Sequence, residues 1–237
     1  MSIMHAEFDF DGDVVLVTGA SGALGSAVCR AFDEAGATVC GTDVVEPDEE
    51  TQLDRGEVPF YRGDLTDDAA AEQVVSGVVD AHGGLDCLCN VAGMWKGGSP
   101  IEETDAETFD QVFDVNLKTM FLASKHALPH LQDASGAIVS VSARASLEGG
   151  EGDGPYRASK AGVRLLTETI AEENAGEVRA NAVMPSVIDT PANREMMPDA
   201  DHDSWVDPAE IARVVVTLCS DAAPPTSGAA VPVYGEA

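Results

Sequence analysis

Positive charge is what this chain has least of. Its 237 residues include 13 lysines and arginines against 42 aspartates and glutamates, and only four of the 13 are lysines. A formal net charge of -29 repels nucleic acid and anionic lipid surfaces, so neither is expected as a partner. Long apolar runs are missing too, none reaching the 18 or so residues of a membrane-spanning helix. The start, MSIMHAEFDFDGD, has no basic stretch followed by an apolar one; no secretory leader is read there, and a cytoplasmic location is expected. Cysteine is sparse and odd in number: Cys29, Cys40, Cys87, Cys89 and Cys219 show no metal-ligand spacing, so no metal site is expected. Cys87 and Cys89 lie two apart in LDCLCNVAG and read as small buried fillers rather than redox groups. Repeats, low-complexity tracts and interdomain linkers are absent, the Gly-rich 149–154 stretch being loop-sized.

What is present begins with the acid itself, spread along the whole chain rather than gathered in a tail. We read it as the solvated shell of a protein adapted to a salty cytoplasm, because concentrated salt relieves the self-repulsion that destabilises so charged a compact state. Forty-four per cent hydrophobic residues over this length is enough for one sizeable core.

Apolar runs of strand length occur at 14–18, 38–42, 58–61, 85–90, 137–142, 178–184 and 229–234. Segments of helical periodicity lie between them at 23–35, 67–81, 105–131, 156–174 and 208–220. Thr104 with Glu107 three residues on reads as a capping signal for the helix near 105. Strict strand–helix alternation implies right-handed crossovers and a parallel sheet covered on both faces. One doubly wound α/β domain of Rossmann type over 1–237, with a seven-stranded parallel sheet, is therefore expected. Ligands in such sheets bind beyond the carboxyl ends of the strands, so the residues just after each run are the candidates for function.

After the first run comes TGASGALG (18–25) and then a helix. Glycines there permit a tight turn and close approach of backbone to a pyrophosphate, and the helix start offers free N–H groups. GDLTD follows at 63–67, NVAG at 90–93, DVNLKT at 114–119, YRASK at 156–160 and PSVIDT at 185–190. With these six motifs in this order the chain resembles the short-chain dehydrogenase/reductase family end to end, and the resemblance implies a nicotinamide cofactor.

Carried over position by position, the resemblance places Gly19, Ser21, Gly22, Ala23, Leu24 and Gly25 at the pyrophosphate. Asp64 and Leu65 would flank the adenine, Asn90, Ala92 and Gly93 would lie beneath the adenosine ribose, and Pro185, Ile188 and Thr190 would meet the nicotinamide. Asp43, at the end of the second run, is placed to accept from ribose hydroxyls and to repel a 2′-phosphate. NADH is therefore expected over NADPH, the alternative being that Asp43 is one loop aspartate among many. Where the family has glycine after that proline, this chain has Ser186.

Tyr156 and Lys160 lie four apart at the start of a helix, so an ammonium one turn away is expected to stabilise a phenolate and lower the tyrosine's pKa from near 10. Asn116 matches the family's helix asparagine that holds a relay water; alternatively it satisfies a helix kink. The family's strand-end serine is replaced by Ala143, and Ser142, one residue earlier, should point elsewhere unless the strand has already ended. The alanine, together with VAGMWKGGSP (91–100), ARASLEG (143–149), DVVEPDEE (43–50) and the long stretch 189–205, is similar to the dihydropteridine reductase branch. That branch reduces a quinonoid dihydropterin with NADH.

A substrate-covering loop is expected over 186–206. Trp95, Met196 and Trp205 would contact the substrate, or else pack as core and lid. Two other readings stay open: a general alcohol or 3-oxoacyl reductase in which Ser142 substitutes for the missing serine, and an inactive nucleotide-binding scaffold or sensor. The family implies homodimers or homotetramers, and the stripe Val163, Leu166, Ile170 faces either the sheet or a partner.

The charge reading makes one expectation directly checkable. Raising KCl from about 0.1 M to about 1 M shortens the Debye length from roughly 10 Å to roughly 3 Å and should raise the Tm measured by calorimetry. A Tm that stays flat or falls would remove self-repulsion as the dominant consequence of the acidic excess.

Overall fold

The computed structural model describes residues 8–47, 52–54 and 56–235. The first residues of the N-terminal stretch and residues 48–50 of DVVEPDEE lie outside them.

Six parallel strands form the sheet: β1 (Val14–Thr18), β2 (Thr38–Thr42), β3 (Cys87–Asn90), β4 (Ala137–Val141), β5 (Arg179–Pro185) and β6 (Ala230–Val233). Their order is β2-β1-β3-β4-β5-β6. The chain runs outward from β1 to β2 and then crosses back to the far side of β1 for β3, so strand order reverses between β1 and β3. A crevice opens at such a reversal, beyond the carboxyl ends of the strands. The turns after β1, β2 and β3 thereby meet the loops after β4 and β5 along the carboxyl ends of the strands.

Alternation along the strands explains the layering. Val15 and Val17 pack with Cys87, Cys89 and Val139 on one face, under α1 (Ala23–Glu34) and α7 (Pro208–Cys219). Leu16, Leu88 and Ile138 point the other way, toward α2 (Asp68–His82), α4 (Thr119–Ala134) and α5 (Gly154–Glu173). A strand covered on both faces reads as a continuous apolar run, which is why VVLVT carries no polar alternation. Val163 and Ile170 are buried and Leu166 packs against the same cluster, so the α5 stripe faces the sheet. All five cysteines are buried and free, and burial pushes the thiols of Cys29 and Cys40 up to about 12 and about 11, which leaves them unreactive.

Three expectations are corrected. The run 58–61 does not become a seventh strand: it makes one parallel bridge, Phe60 to Gly41, beside β2. Gly41 donates to Pro59 O and accepts from Tyr61, and the ladder stops because Pro59 has no N–H to continue it. The helix over 105–131 is interrupted: α3 (Ala106–Phe113) and α4 are joined by a π-helical turn, Asp114–Lys118, wrapped around buried Asn116. The cap of α3 is Asp105, whose Oδ1 accepts from Thr108 N at 2.6 Å, while Thr104 Oγ1 donates to Pro100 O at 3.0 Å. Asp105 occupies the cap position, where aspartate is preferred to threonine, and the Thr104 hydroxyl is used on the preceding turn. A short α6 (Pro191–Met196) completes the loop after β5, and among the described residues no helix is long and apolar enough to cross a membrane.

Arg179, the first residue of β5, ties the end of α7 to the sheet. Its Nη1 donates to Leu218 O at 2.5 Å and its Nη2 to Cys219 O at 2.6 Å and Ser220 O at 3.3 Å. A cation on the last carbonyls of a helix answers both their missing hydrogen bonds and the negative end of the dipole. Arg179→Leu should therefore cost about 2 kcal/mol in urea unfolding. A loss below about 0.5 kcal/mol, the range of an ordinary surface substitution, would show that water replaces the guanidinium freely.

Candidate active site

A cleft of about 1200 Å³ lies along the carboxyl ends of the strands. At one end β1 closes on Thr18, whose Oγ1 accepts from Val91 N and Ala92 N, each at 3.0 Å. Gly19 turns there with φ of +66°, and a Cβ on it would lie 2.7 Å from Ala92 Cα; one on Gly25 would lie 2.0 Å from Gly19 O. Only glycine lets the turn fold this tightly against the start of α1. α1 begins at Gly22, with no side chain over its first turn, so the N–H groups at Ala23, Leu24 and Gly25 face the cleft. Free amides at a helix start suit a pyrophosphate.

Asp43 ends β2 in the same wall. Its Oδ2 accepts from Ser21 N at 3.2 Å and its Oδ1 from Val44 N at 2.7 Å. Ser21 itself does not line the cleft, since its hydroxyl donates to Val45 O at 2.7 Å and so shapes the wall from behind. Beside Asp43, Thr42 Oγ1 is buried in the wall without a hydrogen-bond partner. Asp64 and Leu65 are in the wall as well, with the Asp64 carboxyl held below its ordinary range by hydrogen bonds from Thr66. Among the described residues no lysine or arginine lines this end, although Arg62 Nε donates to Val44 O at 3.1 Å behind the wall. The residues present thus fit a dinucleotide: amides for the pyrophosphate and Asp43 for ribose hydroxyls.

Ala92, Gly93, Pro185, Ile188 and Thr190 line the middle of the cleft. Asn90 does not: it lies beneath, donating from Nδ2 to Ser124 and Ser140 and so holding β3, β4 and α4 together. Thr190 Oγ1 accepts from Asn193 N at 3.1 Å as the cap of α6, and Asn193 Nδ2 returns to Ile188 O at 2.8 Å. That pair of bonds fixes the edge at which the two nicotinamide candidates sit.

The reacting end is built around Lys160. Its Nζ, buried, donates to Val141 O at 2.9 Å, while its own carbonyl accepts from Ser142 Oγ at 2.8 Å. A Cβ on Gly93 would stand 3.0 Å from Nζ, so glycine is what leaves room for the ammonium. Asn116 braces the same spot from outside the wall. It accepts from Met94 N at 2.7 Å and donates to Met94 O and Ser159 Oγ, each at 3.0 Å. Its position on the π-helical turn and its contacts match a residue that holds the loop after β3 against α5.

Burial drives the two titrating groups of this end in opposite directions, because both charged forms are costly there. Lys160 is lowered to about 8, and Tyr156, half-buried, is pushed up to about 12, with the Asp153 carboxylate adding to burial. The expectation of a tyrosine lowered by its lysine is therefore reversed in the chain by itself: the ammonium is bonded to Val141 O rather than to the phenol. As it stands, Tyr156 is a protonated phenol.

Ala143 and Ser142 both line the cleft, but the Ser142 hydroxyl is committed to Lys160 O, so no donor from the end of β4 is aimed at a substrate. Ser142 is expected to point elsewhere unless the strand has ended; β4 does end at Val141, yet the Ser142 hydroxyl is turned to Lys160 O. Trp95 and Met196, both exposed, line the substrate end. Trp205 does not; its ring stacks on His202 at 4.4 Å, and His202 in turn bonds Met197 O. It braces the loop over 186–206 instead of meeting the cleft.

Sequence reading missed Thr42, Met94, Asp153 and Arg157. The last two carried a signal, an acid and a base four apart around Tyr156, which is the spacing of a helical ion pair.

The family model described as short chain dehydrogenase matches residues 13–201. The 3-oxoacyl-(acyl-carrier-protein) reductase FabG of Thermotoga maritima is 32% identical over 241 residues, covering 95% of this chain and 97% of the relative. A meso-2,3-butanediol dehydrogenase of Serratia marcescens is 32% identical, covering 96% and 95%. Among solved structures, the short-chain glucose/ribitol dehydrogenase from Brucella melitensis superposes with a TM-score of 0.88 at 27% identity over 97% of this chain and 98% of the other. The ligand-free aldohexose dehydrogenase of Thermoplasma acidophilum gives 0.86 at 27% identity, over 97% and 95%. With the family model covering most of its length and these relatives nearly all of it, the chain belongs to the short-chain dehydrogenase/reductase family of NAD(P)-dependent oxidoreductases.

Proposed function

We propose that the chain is an NADH-dependent reductase of a small planar acceptor, with a quinonoid dihydropterin as substrate. The observation that carries this reading is the absence of a hydroxyl aimed at the substrate from the end of β4: Ala143 has none and Ser142 turns to Lys160 O. A simple ketone loses a donor to its developing oxyanion there, a loss that commonly costs about 3 kcal/mol. A quinonoid ring, whose charge spreads over its own heteroatoms, depends less on one such bond. Trp95 offers a flat apolar face at that end, and Ala145, Met196 and Met197 line the remainder.

When bound, the nicotinamide supplies or takes up the hydride. The chain's own part is the proton. Tyr156, a phenol held protonated by burial, donates from the wall of the cleft, which suits the reductive direction. Lys160 keeps an ammonium beside it at neutral pH and has donors beyond the one used on Val141 O. Asp43, with no cation among the described residues lining its end of the cleft, favours NADH over NADPH.

A second reading, a general alcohol or 3-oxoacyl reductase, is favoured by the activities named for the 32% identical relatives. On either reading we propose a cytoplasmic, salt-adapted protein that associates through α4 and α5, where Phe121 and Leu165 are large and exposed.

The test is turnover in about 1 M salt, the range where surface charge is well screened. NADH oxidation should be driven by quinonoid dihydropterin, should be slower with NADPH, and should fall by about 10²-fold or more in Tyr156→Phe. Turnover of secondary alcohols or oxoacyl thioesters, with none on the pterin, would replace the first reading with the second.

A further inference from the structure

We propose that Asp153 and Arg157 form a charge clasp that governs how readily Tyr156 gives up its proton, with Arg157 as the positioning residue. The inference deepens the reading of Tyr156 as proton donor and rests on it. The two residues straddle Tyr156, three before it and one after, and Arg157 Nε donates to Asp153 Oδ1 at 2.6 Å. Asp153 occupies the cap position of α5, where an aspartate ordinarily accepts from the free N–H groups of the first turn. Its side chain makes no such bond. The carboxylate is given to Arg157 instead.

The other edge of the guanidinium fastens the strap over 148–153. Arg157 Nη1 donates to Glu148 O at 3.1 Å and Gly149 O at 3.5 Å. A Cβ on Gly150 would lie 2.2 Å from Arg157 Cζ, so the strap approaches the guanidinium closely and a side chain there would push it aside. Its far side is held where Gly98 N donates to Gly152 O at 2.7 Å. Covered in this way, the Arg157 and Asp153 side chains keep 24% and 16% of their exposure, and a pair so shielded is screened less than an open surface pair.

The other ionisable groups of the cleft are committed elsewhere. On α5, Lys160 is bonded to Val141 O. After β4, Arg144 lies over the Tyr234 ring at 5.0 Å and Glu148 acts on Arg157. Asp43 and Asp64 sit at the adenosine end, held by backbone amides and by Thr66. The Asp153 carboxylate opposes a phenolate at Tyr156, and Arg157, paired with it in the same wall of the cleft, acts in the opposite sense. The clasp therefore sets a balance: strong enough shielding to let the proton leave, with the carboxylate near enough to favour its return.

The deciding experiment is NMR titration of cofactor-free protein labelled at tyrosine Cζ, with the Tyr156 signal assigned by its loss in Tyr156→Phe. Asp153→Asn should start the Tyr156 ionisation about 0.5 pH unit earlier and Arg157→Gln about 0.5 unit later. Arg157→Lys should stay near the parent, and the double variant should return toward it. A purely structural clasp predicts no movement in folded variants, and midpoints that coincide with the parent by this measure would overturn the proposal. If Arg157→Gln does not fold, the isosteric Asp153→Asn decides alone. Full turnover in Tyr156→Phe would sink the proton-donor reading separately, since the titration needs neither cofactor nor substrate.

Discussion

One buried ammonium organises the reacting end of this enzyme. Lys160 Nζ has little water around it, and an uncompensated charge there would be untenable, so it bonds Val141 O at the last residue of β4. The same residue's carbonyl takes the hydroxyl of Ser142. Two bonds between one helical residue and one strand end fix α5 against the sheet, and everything else at that end is placed from α5. Gly93 is a glycine because the ammonium needs the space, and Asn116 sits on a π-helical turn because it must reach Met94 and Ser159 at once. The proton chemistry of Tyr156 inherits its position from this stitch.

The stitch also explains why the site is asymmetric. A hydroxyl after β4 that holds α5 is not available to hold a substrate, and the following residue, Ala143, contributes only a methyl group to the wall. On the proposed reading Tyr156 is then the phenol from which the proton comes, and burial keeps it protonated. Burial lowers Lys160 and raises Tyr156 for one reason, the cost of charge away from water. Two acids reach this region, Asp153, which is paired with Arg157, and Glu148, which acts on the same guanidinium.

Much of the architecture was legible in the sequence because it depends on periodicity. Strand runs dominated by apolar and small residues announce burial on both faces, and Val14–Thr18, Thr38–Thr42 and Ala137–Val141 are where the runs lie. The glycines at 19, 22 and 25 were readable because a tight turn before a helix leaves few alternatives. Legibility failed where the outcome depends on which partner a polar group finds in three dimensions. Nothing local says that Ser142 turns to a helix carbonyl, that Trp205 prefers His202 to the cleft, or that the Lys160 ammonium bonds the strand rather than the tyrosine. The missing seventh strand is a case of one atom: Pro59 lacks the N–H that the next rung needs. Asp153 and Arg157 were visible as a spaced pair but carried no meaning until the strap was seen to cover them.

The claim at the centre of this account is that catalysis runs on Tyr156 without a donor from the end of β4. The most direct measurement is kcat of Ser142→Ala with the acceptor that the parent reduces, alongside circular dichroism to confirm the fold. The account predicts a modest loss of rate, about tenfold or less and accompanied by a lower Tm, because the lost hydroxyl held α5 and touched no substrate. A drop of about 10²-fold in a folded variant, the usual cost of removing an oxyanion donor, would contradict it.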